Sequence, residues 1–118
     1  MRNIGGVEIV SVYKCLCDLT RLRILNLLSQ GPLCVCFMQE VLEEPQVKVS
    51  KHLGYLRQHG LIVCERRANW SIYRLKDTPN PILRENLKCL QDVSLEQACF
   101  QEDLRRLKRL DTSAICEK

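Results

Sequence analysis

The sequence predicts a mainly α-helical domain with a small β-hairpin wing, in the order of a winged helix-turn-helix. Two short helical segments separated by a proline break precede a stretch in which the hydrophobic period changes from helical to alternating. A second break and a long helical segment follow. The 118 residues fit one compact domain. We expect residues 1–110 to form this domain and residues 111–118 to be a mobile C-terminal tail.

Two helices are predicted before the helix-turn-helix. Ile9 and Val12 begin an apolar stripe that follows the spacing of one helix face. Asp18 and Thr20 are both good N-cap candidates for the second helix. Gly31-Pro32 ends that helix, because this dipeptide interrupts helical hydrogen bonding.

The helix-turn-helix is predicted between residues 33 and 60. Residues 33–36 are expected to be briefly extended before a short third helix. Glu43-Glu44-Pro45 breaks that helix, and Gly60 lies where the C-terminal cap of a fourth helix belongs. The two helices have apolar residues at helical spacing, namely Val35, Met38, Val41 and Leu42 in the third and Val49, Leu53 and Leu56 in the fourth.

The hairpin and a long last helix complete the domain. Residues 61–66 and 70–75 are rich in β-branched and aromatic side chains, and Arg67-Ala68-Asn69 lies between them as a turn. After a break at residues 78–81, one helix is expected to continue to about Leu110. Its apolar face is longer than the small core can cover. We therefore expect self-association, which is the simplest way to bury that face.

Positive charge is concentrated around the helix-turn-helix and the hairpin. Residues 46–76 contain seven basic residues and one acidic residue, whereas the whole chain has a net charge of +4. This distribution is expected of a surface that contacts the phosphates of double-stranded DNA, although an ordinary solvated face is the alternative. The candidate DNA-binding residues are Gln46, Lys48, Ser50, Lys51 and His52 on the fourth helix and Arg66, Arg67 and Asn69 at the hairpin tip.

Other classes of function have little support in the sequence. The N-terminus lacks the apolar core and cleavage site of a signal peptide, and the apolar runs are too short to span a membrane. We therefore expect a cytoplasmic protein without a membrane partner. The sequence contains no catalytic pattern and no phosphate-binding loop, so we expect neither an enzyme nor an organic cofactor. Eight cysteines in such a chain indicate metal binding or redox chemistry, and the alternative is that several are small buried apolar residues.

Three segments carry a resemblance to a known family. Residues 13–25, YKCLCDLTRLRIL, resemble the FKALSDPTRLRIL signature of the ArsR/SmtB metalloregulatory repressors. Residues 49–62, VSKHLGYLRQHGLI, resemble that family's VSKHLxxLRxxGLV recognition helix, and residues 70–75 resemble its W-x-x-Y-R-L wing strand. The resemblance spans roughly residues 7–110. It implies a homodimer through the first and last helices. It also implies repression of an operon for arsenic or metal export or detoxification, with release of the operator DNA when an inducer binds.

The resemblance also implies an inducer site. Leu33-Cys34-Val35-Cys36 is similar to the LCVC start of the third helix in the arsenic- and cadmium/lead-responsive branches. This implies that Cys34 and Cys36 bind arsenite or antimonite, with cadmium or lead as alternatives. The arsenic-responsive pattern continues Cys-x-Cys-x-x-Cys, but Gln39 occupies the third position here. The third ligand stays open, and Cys116 in the tail is one candidate.

The physical chemistry of the thiols supports a soft ligand. Amides and the positive dipole end at a helix start favour thiolate over thiol, and thiolates prefer soft ions. Cys15 and Cys17 precede the second helix and are therefore about 15–20 Å from Cys34 within one subunit. They either pack or form a second site. A thiol-redox-sensing repressor and a DNA-binding protein without an inducer are the remaining alternatives.

Overall fold

The computed structural model describes residues 5–77, 81–94 and 97–110, which form helices around a small antiparallel sheet. No helix within these ranges is long and apolar enough to cross a membrane. The helices are α1 (Gly5–Cys15), α2 (Leu19–Leu28), α3 (Val35–Leu42), α4 (Gln46–Gln58), α5 (Pro81–Ser94) and α6 (Ala98–Arg109). The strands are β1 (Leu33–Cys34), β2 (Ile62–Arg67) and β3 (Trp70–Leu75).

The helix-turn-helix lies where the sequence predicts it. Helix α3 ends at Leu42, and its C-cap residue Glu43 has a φ of 55°, in the left-handed region that stops a helix. Pro45 then precedes the first residue of α4 with an extended backbone. Helix α4 buries its apolar stripe in the core, through Val49, Leu53 and Leu56. With the hairpin that follows, α3 and α4 form a winged helix-turn-helix.

The sheet has the strand order β1-β3-β2, and both pairs are antiparallel. Arg67 was expected in the turn, but it pairs with Trp70 and is the last residue of β2. The loop is therefore a two-residue turn in which Ala68 has a φ of 54°. Strand β1 lies in the segment expected to be extended, but it covers only Leu33 and Cys34, and its pairing is not predicted by the sequence. Cys34 pairs with Ile72 of β3, so the start of α3 is joined to the wing.

The prediction of one long last helix is wrong. Helix α5 ends at Ser94, and α6 starts at Ala98 after Gln97, which has an extended backbone. The separate α6 packs against α2 and α3 of its own chain and buries Phe100 in the core. One straight helix could not bring both segments against the same small core. The apolar face of α6 is therefore covered within the subunit.

A buried ion pair fixes α6 to the core. The side chain of Asp103 is fully buried, and it accepts two hydrogen bonds from Arg23 of α2, at 2.7 and 2.8 Å. These hydrogen bonds raise the pKa of Arg23. Arg23 also donates to the carbonyl of Leu42 at 3.4 Å, and Arg106 donates to the carbonyl of Val41 at 2.9 Å. Two arginines thus hold the C-terminal end of α3.

A second arginine cluster sets the position of α4. Arg21 donates to the carbonyls of Lys14 and Cys15 at the end of α1, at 2.8 and 3.0 Å. Its guanidinium also lies 4.3 Å from the centroid of the Tyr55 ring, which is a cation–π contact. Arg21 donates to Nδ1 of His52 at 3.4 Å. One side chain therefore connects α1, α2 and α4.

We expect Asp103→Ala to destabilise the fold by about 3–5 kcal/mol, because it leaves the partly buried Arg23 without its counter-charge. Urea denaturation measures the change in the free energy of unfolding. Glu85→Ala is the matched control, since the Arg84–Glu85 pair is exposed and such pairs contribute only about 0–1 kcal/mol. Equal losses for the two variants would contradict this account of the α2–α6 contact.

We expect His52 to titrate below the ordinary histidine pKa of about 6.5. Burial lowers the pKa of His52, and Arg21, Lys48 and Lys51 lower it further, against the opposing charge of Asp18. The unfolded chain then binds more protons than the folded one, so the free energy of unfolding should fall as the pH drops below about 6.5. A chemical-shift titration of the His52 ring Cε1–H by nuclear magnetic resonance measures its pKa in the folded protein. A midpoint at or above 6.5 would refute the assignment, and His52→Gln should remove this part of the pH dependence.

Candidate functional site

The candidate DNA-reading residues of α4 lie on its exposed side. Gln46, Lys48, Ser50 and Lys51 are all exposed, opposite the stripe that the helix buries in the core. The first turn of α4 has no side-chain cap, because Pro45 occupies the N-cap position. Its amide groups therefore point outward without a side-chain acceptor, which suits a phosphate group.

The two lysines on α4 differ in whether they form an ion pair. Lys48 forms an ion pair with Glu44 at 3.2 Å, and about half of its side chain is exposed. Exposed pairs of this kind are worth only about 0–1 kcal/mol, so phosphate can replace the carboxylate. Lys51 has no ion pair with any residue that the structure describes. Both cations are therefore available to a polyanion.

His52 differs from the other candidates on this helix. Only 14% of its side chain is exposed, and its two ring nitrogens face Arg21 and Asp18, the latter at 4.0 Å. Since Arg21 can only donate, Nδ1 of the neutral ring accepts and the proton lies on Nε2. This geometry fits a residue that positions α4. A direct contact between His52 and DNA stays a prediction.

The wing carries the second group of candidates. Arg66, Arg67 and Asn69 are exposed at its tip, and neither arginine forms an ion pair within the described part of the chain. Arg74 differs, because it pairs with Glu65 at 2.6 Å, and its hydrogen bond lowers the pKa of that carboxyl. The positive charge of the wing is therefore concentrated at its tip.

The two candidate inducer ligands lie side by side. The Sγ atoms of Cys34 and Cys36 are 2.9 Å apart, at the junction where β1 passes into α3. This separation is longer than the about 2.05 Å of a disulfide bond. Cys34 is fully buried, whereas Cys36 is partly exposed. Cys36 borders a surface groove, which is lined by Cys36, Gln39, Glu40, Glu43, Glu44 and Pro45.

A third ligand does not emerge from the described residues. Within residues 5–77, 81–94 and 97–110 no group of three histidine, cysteine, aspartate or glutamate side chains could hold a metal ion. Gln39 lines the groove beside Cys36, and Cys116 lies outside the described residues. Cys15 is buried in the core, and this burial raises its pKa although Arg21 opposes the effect. Its environment agrees with a packing role.

Known proteins with similar sequences are transcriptional regulators. Residues 18–63 match the family described as bacterial regulatory protein, arsR family. Over 86 residues the chain is 45% identical to the arsenic resistance transcriptional regulator ArsR1 of Pseudomonas putida. The matched residues make up 72% of this chain and 67% of that protein. Over 103 residues it is 36% identical to ArsR2 of the same organism, with 85% and 86% covered.

Solved structures agree with this assignment. HlyU from Vibrio cholerae superposes with a TM-score of 0.69 at 26% identity, and covers 78% of this chain and 97% of its own. The AntR antimony-specific transcriptional repressor superposes with a TM-score of 0.64 at 28% identity, with 81% and 87% covered. Its winged helix-turn-helix and these relatives show that the chain belongs to the arsR family of bacterial regulatory proteins.

Proposed function

We propose that this chain is an arsenic- and antimony(III)-responsive transcriptional repressor of the cytoplasm. It binds operator DNA as a homodimer and releases it when the inducer binds Cys34 and Cys36. The observation that carries the proposal is the 2.9 Å separation of the two sulfur atoms at the start of α3. Relatives named as arsenic resistance regulators and an antimony-specific repressor support this class of inducer.

The thiols can bind arsenite without any redox step. Cys34 and Cys36 each replace one hydroxyl group of As(OH)₃, and their protons leave with those hydroxyls as two molecules of water. Any atom bonded to both sulfurs at about 2.3 Å, with angles of about 90–110°, holds them about 3.3–3.8 Å apart. Ligation would therefore fix the distance between the two sulfurs, which in the free protein are separate thiols.

The proposed inducer site lies where two DNA-binding elements meet. Cys34 pairs with Ile72 in the wing strand β3, and α3 packs against the recognition helix α4. The far end of α3 is held by Arg23 and Arg106. A displacement at the cysteine end therefore acts on the wing and on α4 together. A coupling free energy of about 1–3 kcal/mol is enough to change operator affinity substantially.

The proposed dimer interface lies on α1 and α5. Helix α1 leaves Ile9, Val10 and Tyr13 exposed, and it packs beside α5. An apolar face of this kind suits a two-fold interface, in which the same surface of each subunit meets the other. Helix α6, which the sequence included in the interface, contributes less because it is packed on its own core. The dimer would place two copies of α4 on one operator.

Two alternatives have specific support. Glu40, Glu43 and Glu44 line the groove beside Cys36 and would attract a divalent cation, which favours cadmium or lead as inducer. The adjacent sulfurs would also favour a redox switch, in which an oxidant such as peroxide removes two electrons and two protons to form a disulfide. Release by cadmium but not arsenite would favour the first. Release by peroxide in metal-free buffer would favour the second.

We expect the double variant Cys34→Ser/Cys36→Ser to bind DNA with unchanged affinity but to lose release by arsenite. Serine keeps the size of the side chain and removes the soft sulfur. Fluorescence anisotropy of an operator duplex, titrated with arsenite, measures both properties.

Cys17→Ser is the matched control, because Cys17 is exposed and lies before α2. It should release DNA as the wild type does. Retained release by the double variant would refute the proposed inducer site.

We expect Gln39→Cys to lower the arsenite concentration for half-release by at least about tenfold, since a third sulfur adds about 1.4 kcal/mol or more. The same titration tests this. Arg105→Cys, which adds a thiol on the exposed part of α6, should have no effect.

Cys116→Ser distinguishes the proposed sources of the third sulfur. If the tail supplies the third sulfur, Cys116→Ser should weaken arsenite-driven release of DNA by the wild-type protein. The same substitution should have no effect in the Gln39→Cys background. No change in affinity for Gln39→Cys would contradict a site open at this position of the groove.

A further inference from the structure

We infer that Val47 contacts the methyl group of a thymine in the major groove and that Gly54 allows the DNA to approach α4 closely. The inference rests on the operator binding proposed above and assigns a specificity-determining residue within it. The sequence gives neither residue a role, because valine and glycine carry no charge or hydrogen-bonding side chain.

Val47 is exposed to an unusual degree for its chemistry. Its relative exposure is 81%, the largest among the large hydrophobic side chains that the structure describes. An α-helix turns by about 100° per residue, so Val47 lies almost opposite the buried Val49 and Leu56. No packing within the subunit explains the valine. It lies on the part of α4 that points furthest from the core.

The surroundings of Val47 indicate which partner would cover it. Gln46 and Lys48 flank it, and Ser50 and Lys51 lie one turn further along the same exposed side. A single exposed apolar residue is too small a patch for a protein interface. In the major groove, by contrast, the thymine C5-methyl is the apolar group of the base edges. The first turn of a recognition helix is also the part that reaches those edges.

Gly54 provides an independent observation on the same side of the helix. It lies two turns after Val47, it is exposed, and a Cβ atom added to it would meet nothing within 4 Å. Its φ is not positive, in contrast to Gly31 and Gly60. Alanine is the better helix former at such a position. Since the protein gains nothing from glycine there, its small size serves an external surface that approaches the backbone.

The charge around these two residues favours DNA over an acidic protein as that surface. Lys51 lies between Val47 and Gly54, and Arg66 and Arg67 lie on the wing without ion pairs to described residues. A continuous phosphate backbone would contact the recognition helix and the wing together. The inference therefore commits to double-stranded DNA.

In vitro selection tests the role of Val47 without knowledge of the natural operator. Full-length wild type, Val47→Ala and Gln58→Ala each select binding sites from a random duplex library. Gln58 is the control, because it is exposed at the other end of the same helix. The wild type and Gln58→Ala should share a motif with a fixed thymine in each half-site. Val47→Ala should lose the preference at that position only.

Replacing the fixed thymine by deoxyuridine removes only the methyl group. This should weaken wild-type binding by about threefold to fivefold per half-site, and should not weaken binding by Val47→Ala. Val47→Thr keeps the shape and one methyl, so it should lie between the two. An unchanged motif for Val47→Ala, or an equal cost of deoxyuridine in both proteins, would overturn the inference. Failure of the wild type to select any motif would instead refute the proposed operator binding.

Gly54→Ala tests the close approach separately. It should raise the melting temperature, because alanine favours the helix, and weaken binding to every selected duplex by about tenfold or more. Circular dichroism establishes that each variant is folded. A stabilised Gly54→Ala protein that binds as tightly as the wild type would overturn this half of the inference.

Discussion

Helix α3 is fixed at one end and carries the thiols at the other. The carbonyl groups of Val41 and Leu42 receive hydrogen bonds from Arg106 and Arg23, and Arg23 is itself held by the buried Asp103. Carbonyls at a helix C-terminus carry partial negative charge, so arginine suits them well. Helix α3 has eight residues and is therefore about 12 Å long. In the proposed switch, the cysteine end of this helix is the end that the inducer would displace.

The sheet places the candidate sensor and the wing in one structural unit. Strand β3 pairs with β2 to make the hairpin and with β1 to hold the start of α3. The backbone of Cys34 therefore belongs to the same sheet as Arg66 and Arg67 at the wing tip. In the proposed switch, two strand pairings, β1 with β3 and β3 with β2, connect the candidate inducer site with the candidate DNA-binding residues of the wing. No long-range pathway through the core is needed for the proposed switch.

Local signals in the sequence predicted most elements, and contacts between distant residues determined the rest. Asp18 caps α2, Pro45 precedes α4, and the hairpin lies within one residue of its expected bounds. The segment between α5 and α6 contains no proline or glycine, so no local signal marks the break. The separate α6 is instead held by the ion pair of Asp103 with Arg23, 80 residues away. The LCVC segment predicted which sulfurs to examine. Their separation, the pairing of β1 with β3 and the enclosed position of His52 depend on tertiary packing.

The burial of Cys34 has a consequence for how such a site can change over evolutionary time. This residue fills space in the hydrophobic core and is also a proposed ligand, so any replacement must be small and uncharged to preserve packing. Cys36 and Gln39 border an open groove and carry no such restriction. Adaptation to a different soft ion should therefore proceed through the outer half of the site, while the inner cysteine is retained.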